Sequence, residues 1–153
     1  MSNLDEKARF PDGVKIHGPV TFGKRVSICE PAEINATGSS VVIGDDCDIA
    51  AYVTINVADS HLRCIGLADE IERQSIMIGD HVFVGTGAVI LGGCHIGHHS
   101  VIGAGVVIKG AVIPPYSLLA APAPVLRAGY FLGRAYNDMP ADYECAADCD
   151  CKR

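Results

Sequence analysis

Two residues near the middle of the chain have the types and the spacing for proton-transfer chemistry. Asp59 stands two positions before His61. A neutral imidazole can take a proton from a hydroxyl near neutral pH, and a carboxylate that accepts from its other ring nitrogen would fix the tautomer and stabilise the imidazolium. Side chains two apart on an extended chain face the same way, so the pairing is possible. The pair predicts a general base, with Glu70 and Glu72 as weaker alternatives to Asp59. The competing interpretation is a surface histidine beside a solvated aspartate.

A six-residue repeat must position these side chains. From Ile78 to Ile113 the sequence reads IGDHVF, VGTGAV, ILGGCH, IGHHSV, IGAGVV and IKGAVI. An aliphatic β-branched residue opens every block, Gly follows it in four of the six, and the fifth residue is small or aliphatic. Helices need apolar residues at three- and four-residue spacing, so this period excludes them. It is typical of a parallel β-solenoid whose chain turns a corner after each short strand.

The repeat is interrupted once over a long stretch. Earlier hexads begin at Ile16, slip by three residues around Thr37–Ser40 and continue to Ile55. His61 opens the next block, and the pattern then fails as far as Ser75. We therefore predict one projecting loop at about residues 61–77, and long loops on a rigid scaffold are commonly functional.

The sequence predicts a single domain over residues 1–153. The repeat occupies residues 16–113, and a closing segment and tail occupy residues 114–153. Proline cannot donate to a strand ladder, so Pro114 and Pro115 are expected to end the solenoid.

Composition agrees with an all-β protein and restricts the partners. The chain has 15 Ile and 15 Val against 8 Leu, and β-branched side chains suit strands. The net charge of −6 argues against nucleic acid as a partner.

The polar start predicts no signal peptide, and no apolar run reaches the ~20 residues of a membrane helix. The seven cysteines are then expected to be reduced thiols of a cytoplasmic protein, with Cys47 and Cys94 as small apolar fillers at fifth places of hexads.

The repeat resembles the hexapeptide-repeat acyltransferases. The segment VFVGTGAVILGGCHIGHHSVIGAGVVI is most similar to the branch that contains serine, maltose, galactoside and polysaccharide O-acetyltransferases. The resemblance implies a left-handed parallel β-helix with three hexads per triangular coil, assembled as a homotrimer with sites between subunits. It also implies direct acetyl transfer from acetyl-CoA to a hydroxyl of a sugar or polysaccharide precursor, with His61 as the base. The alternatives are N-acetylation of an amino or nucleotide sugar, and a non-catalytic solenoid scaffold.

The resemblance also places the coenzyme along the hexads. The positions that match the family's coenzyme contacts are Phe83, Gly85, Thr86, Ala104, Lys109 and Arg127. Thr86 or backbone N–H groups would stabilise the oxyanion. Each position has a structural alternative, because hexad Gly and Ala also serve coil geometry and Lys and Arg are usually solvated. The closing motif departs from the family pattern, since Pro122 replaces the expected Gly and Arg127 is displaced.

A group of histidines invites a metal interpretation. The residues concerned are His81, Cys94, His95, His98 and His99, of types that bind zinc. The γ-class carbonic anhydrases share the solenoid, but the positions that match two of their histidine ligands hold Thr86 and Leu91. We therefore predict no metal. Cys145, Cys149 and Cys151 are interpreted as part of a flexible tail.

Overall fold

The structure is a computed structural model that describes residues 9–126. The chain divides into two units, residues 1–121 and 122–153, and the expectation of a single domain over residues 1–153 stays a prediction. The fold described below is that of the first unit. No helix within residues 9–126 is long and apolar enough to cross a membrane.

Short strands follow one another along the first unit, with one helical turn between them. Their bounds are β1 Val14–His17, β2 Val20–Phe22, β3 Ser27–Ile28, β4 Ala32–Asn35, β5 Val41–Ile43, β6 Asp48–Ile49, β7 Thr54–Asn56, β8 Ala58–Asp59, α1 His61–Cys64, β9 Glu72–Arg73, β10 Ile76–Ile78, β11 Phe83–Val84, β12 Val89–Leu91, β13 His95–Ile96, β14 Val101–Ile102, β15 Val107–Lys109, β16 Val112–Ile113 and β17 Leu118–Leu119.

These strands form three parallel sheets of five strands each. The first sheet has the order β1-β4-β7-β12-β15, the second β2-β5-β10-β13-β16 and the third β3-β6-β11-β14-β17. Each turn of the chain gives one strand to every sheet, so five coils are stacked. The predicted all-β, left-handed parallel β-helix of hexapeptide repeats is confirmed.

The first residues of the hexads form the core. In the first sheet, Ile34 pairs with Ile55, and Ile55 pairs with Ile90, which stacks one isoleucine over the next inside the prism. All three are at most 1% exposed. Cys47 is 1% exposed and Cys94 is 0% exposed, which confirms their predicted role as small fillers of the interior.

The fifth coil departs from the predicted register. Ile90 pairs with Ile108, but Ile96 pairs with Ile113, so this corner takes five residues instead of six. Gly110 makes the tighter turn with a φ of +60°, a value that L side chains rarely adopt. Val112 consequently points outward and is 75% exposed, although it stands at a fifth place of the six-residue pattern, as the buried Cys94 does.

The solenoid also continues past the predicted end. β17 pairs with β14, so that Leu119 lies beside Ile102. Pro114 and Pro115 fall in the corner between β16 and β17, where neither has to donate to a ladder. The prediction that these prolines end the solenoid was therefore wrong.

The insertion between β7 and β10 is more regular than the sequence indicated. β8 and β9 pair antiparallel, with Ala58 opposite Arg73 and Asp59 opposite Glu72, and α1 lies between them in the chain. The excursion thus begins at Ala58, before the predicted start of the loop. Several apolar side chains beyond this ribbon are exposed, namely Leu62, Ile65 and Leu67.

Candidate active site

A side-chain ladder fixes the point where the chain leaves the solenoid. Asn35 donates from Nδ2 to Asn56 Oδ1 over 3.2 Å, across neighbouring coils. The same oxygen accepts the Ala58 N–H at 3.0 Å. Asn56 therefore ties the first residue of β8 to the last residue of β7, and Asp59 follows at a defined place on the rim of the first sheet.

Asp59 and His61 are brought together, and a turn does it. Asp59 Oδ1 accepts the backbone N–H of His61 at 3.0 Å and lies 2.5 Å from Nδ1 of its ring. Ser60, between them, has φ −107° and ψ 6°, so the chain is not extended as the sequence argument assumed. An ionised carboxylate can only accept hydrogen bonds. Nδ1 must then carry the proton, which leaves Nε2 as the basic nitrogen of a half-exposed imidazole.

Lys109 completes this cluster. Its Nζ donates to Asp59 Oδ2 over 2.5 Å and lies 3.7 Å from Glu72 Oε2. Glu72 Oε1 in turn accepts a hydrogen bond from Gln74 Nε2 over 2.6 Å. The pKa of Asp59 is held well below its usual range. The largest cause is the hydrogen bond from Lys109, and the backbone and ring N–H groups of His61 add to it. The same ion pair raises the pKa of Lys109.

The structure thus gives Lys109 partners that the family resemblance did not imply. The resemblance assigned it to the coenzyme, whereas its ammonium group here bonds Asp59 and approaches Glu72. Glu72 had been an alternative partner for His61, and its carboxylate instead faces Lys109. A lysine neutralised by two carboxylates within its own chain is poorly placed to bind the phosphates of a coenzyme.

A second group of predicted residues lies at the corner between the third and first sheets. Gly105 donates its N–H to the Thr86 carbonyl at 2.9 Å, which stacks this corner on the same corner one coil later. A Cβ on Gly85 would lie 2.5 Å from the Ala104 nitrogen, so glycine is required there. Within residues 9–126, neither the Thr86 N–H nor the Ala104 N–H donates to a backbone carbonyl.

The two groups are separate within one chain. Thr86 precedes β12, whereas Lys109 ends β15, and these strands are parallel neighbours in the first sheet. The Gly85–Thr86–Ala104 corner and the Asp59–His61–Lys109 cluster therefore lie at opposite ends of the same strands. Phe83 lies on the outer side of β11 and is 40% exposed. Arg127 lies outside the described residues, as do Cys145, Cys149 and Cys151.

Three other histidines, His81, His98 and His99, line the corner between the second and third sheets, whereas His95 lies within β13. The His81 and His99 rings are 4.5 Å apart between centroids, and the His99 and Tyr116 rings 5.1 Å. His98 Nδ1 lies 3.0 Å from His99 Nδ1. Within residues 9–126, no three His, Cys, Asp or Glu side chains converge as a set of metal ligands.

The hexapeptide repeat is also found in known proteins. The family described as bacterial transferase hexapeptide (six repeats) matches residues 75–110. Residues 75–110 thus carry the hexapeptide repeat described for bacterial transferases. No curated protein sequence is significantly similar to it.

Several solved acetyltransferases share the fold. The polySia-specific acetyltransferase NeuO is 28% identical with a TM-score of 0.60, and the match covers 67% of this chain and 48% of NeuO. A maltose O-acetyltransferase from Clostridium difficile 630 is 26% identical with a TM-score of 0.57, over 70% of this chain and 61% of the enzyme. A hexapeptide-repeat acetyltransferase from Vibrio cholerae is 27% identical with a TM-score of 0.52, over 80% and 76%. The chain therefore spans about half the length of NeuO and less than two thirds of the maltose enzyme.

Proposed function

We propose that this protein is a cytoplasmic, acetyl-CoA-dependent O-acetyltransferase whose acceptor is a hydroxyl of a sugar or polysaccharide precursor. The observation that carries the proposal is the Asp59–His61 pair at the exit from the solenoid. The similarity to NeuO and to a maltose O-acetyltransferase supports a saccharide acceptor.

The geometry of the pair suits a general base. Because Asp59 accepts the hydrogen bond from Nδ1, Nε2 of His61 is free to take the proton of the acceptor hydroxyl. The oxygen of that hydroxyl attacks the thioester carbonyl as the proton leaves. The tetrahedral adduct collapses, the carbon–sulfur bond breaks, and the imidazolium returns its proton to the leaving thiolate. The acetyl group passes directly to the acceptor, and the products are an acetyl ester and free coenzyme A.

The corner at Thr86 and Ala104 fits the donor. Positions beside Gly87 and Gly105 open onto free space, since a Cβ at either would meet nothing within 4 Å. An extended chain such as pantetheine can lie against backbone of this kind, and the N–H groups of Thr86 and Ala104 or the Thr86 hydroxyl can stabilise the oxyanion. In this proposal Gly85 allows the close stacking of coils, the exposed Phe83 supplies an outer contact to the coenzyme, and Arg127 is proposed to supply another.

The separation of these two groups supports a homotrimer with sites between subunits. One chain holds the base at one end of the first sheet and the candidate oxyanion donors at the other. Two copies side by side can bring the base of one against the donors of its neighbour. The exposed Leu62, Ile65 and Leu67 of the insertion provide apolar surface for that contact.

Acetyl transfer can be tested directly. The purified protein is incubated with acetyl-CoA and a panel of neutral sugars, amino sugars and oligosaccharides, and free coenzyme thiol is measured against a reaction without acceptor. Mild alkali then distinguishes the products, because it removes an ester-linked acetyl group and leaves an amide. Alkali-labile acetylation supports the proposal. Alkali-stable product would favour N-acetylation instead, and release of no thiol with any acceptor would favour a scaffold.

A further inference from the structure

Lys109 occupies a position that the proposed mechanism does not use. It is the last residue of β15 and pairs with Leu91 in β12, which pairs in turn with Asn56 in β7. These three residues form one column at the edge of the first sheet where the insertion leaves. Lys109 is thereby placed beside Asp59, although fifty residues separate the two in sequence.

We propose that Lys109 is a positioning residue that holds Asp59, and through it His61, in the geometry for proton transfer. This inference rests on the proposed function, and it replaces the coenzyme contact implied by the family resemblance. Lys109 touches neither His61 nor the reacting atoms in this role.

The two oxygens of Asp59 are divided between two partners. Oδ1 serves the backbone and ring of His61, and Oδ2 receives the Lys109 ammonium. The χ2 torsion of aspartate is broad, so one partner does not fix the plane of the carboxylate. Lys109 supplies the second contact, which keeps Oδ1 directed at Nδ1 and His61 in the tautomer with a basic Nε2.

Lys109 also relieves a repulsion within the ribbon. Asp59 and Glu72 are direct cross-strand neighbours in the β8–β9 pair, and like charges in such positions destabilise a ribbon. The Lys109 ammonium lies 2.5 Å from Asp59 Oδ2 and 3.7 Å from Glu72 Oε2. Its charge offsets both carboxylates and so stabilises the short ribbon that carries the base.

Steady-state kinetics separate this role from a coenzyme contact. In Lys109→Met we expect kcat to fall by up to about 100-fold, the scale of a misplaced catalytic group, with KM for acetyl-CoA unchanged. Lys109→Arg, which retains the charge, should recover most of that loss. Because Lys109 acts through Asp59, Lys109→Met should cost almost nothing further in an Asp59→Asn background. A raised KM with normal kcat would overturn the inference in favour of a coenzyme contact.

The pH profile gives a second kinetic test. Asp59 and Glu72 are the charged groups beside the lysine, and removing its positive charge leaves their negative charge uncompensated near His61. The acid limb of kcat/KM should therefore move to higher pH in Lys109→Met and stay in place in Lys109→Arg. An unmoved limb in Lys109→Met would contradict the inference.

A measurement without turnover keeps the two proposals distinguishable. Nitrogen chemical shifts of the His61 ring report its tautomer, and we expect the Nδ1–H form in the wild type and a mixture in Lys109→Met. The same spectrum in both proteins would refute the positioning role while leaving acetyl transfer intact. A change of tautomer in a protein that acetylates no acceptor would support the positioning geometry and refute the proposed function. Thermal unfolding of each variant checks that the solenoid is retained.

Discussion

Replacing His61 by alanine is the most direct test of the mechanism. General base catalysis contributes about 10²- to 10⁴-fold, so kcat should fall by that factor, or about 3 to 5 kcal/mol at 1.36 kcal/mol per decade. The fold should be preserved, because the side chain is 56% exposed and such surface changes usually alter stability by less than about 0.5 kcal/mol. KM for acetyl-CoA should hardly change, because the proposed contacts to the coenzyme are made by other residues, among them Thr86 and Ala104. The assay is thiol release at saturating acceptor, with the unfolding temperature measured on the same samples.

The chain offers a matched control for this variant. His98 is also an exposed histidine, but it lies at the corner between the second and third sheets and packs edge-on against Tyr116. His98→Ala should keep kcat close to that of the wild type. A His61→Ala enzyme that acetylates a hydroxyl at the wild-type rate would refute the base mechanism. It would be compatible with an amine acceptor, which needs less help from a base.

The remaining predictions concern the aspartate, the assembly, the metal and the core. Asp59→Asn should lower kcat less than His61→Ala does. Because the folded pKa of Asp59 is depressed, its stabilising effect should be present above its unfolded pKa of about 4 and be lost only as pH falls through the folded value, as measured by unfolding at stepwise lower pH. Light scattering should give three chain masses, and a clean monomer at micromolar concentration would contradict shared sites. Elemental analysis should find no stoichiometric zinc, and the protein should not hydrate CO2; one tightly held metal per chain would show this wrong. Ile90→Ala, at a fully buried position, should cost about 2 to 5 kcal/mol in denaturant unfolding, and a near-neutral effect would be inconsistent with the isoleucine stack.

The sequence predicted the fold well because the hexads encode it locally. The Ile residues at first places in the three central coils, such as Ile90 and Ile102, are buried, and Ile16 and Ile108 in the two end coils are partly buried. The prediction of the strand register failed in the fifth coil, where a five-residue and a six-residue spacing both place an aliphatic residue at the corner. Val112 satisfied the six-residue pattern, yet the His95 N–H bonds the Ala111 carbonyl and turns Val112 outward. That choice depends on backbone geometry at Gly110, which the sequence pattern does not contain.

The candidate site was predictable only in part. The spacing of Asp59 and His61 predicted their contact, although a turn at Ser60 brings it about. Lys109 could not be linked to Asp59 in the same way, because the contact depends on the height of each coil along the solenoid axis. The insertion before Ile76 hides that height, since it breaks the count of hexads between the two residues. The hydrogen bond from Ala58 to Asn56 was missed for a similar reason, as an asparagine in a repeat gives no signal of where the chain departs.

The short antiparallel ribbon has a consequence for how such proteins diversify. The start of the ribbon is tied to the rigid coils at Asn56 and Lys109, whereas the segment between α1 and β9 makes no strand of the solenoid. Changes of length or sequence in that segment can therefore accumulate without moving His61 or disturbing a coil. Selection for a new acceptor can act on that segment alone, while the chemistry it serves is inherited unchanged.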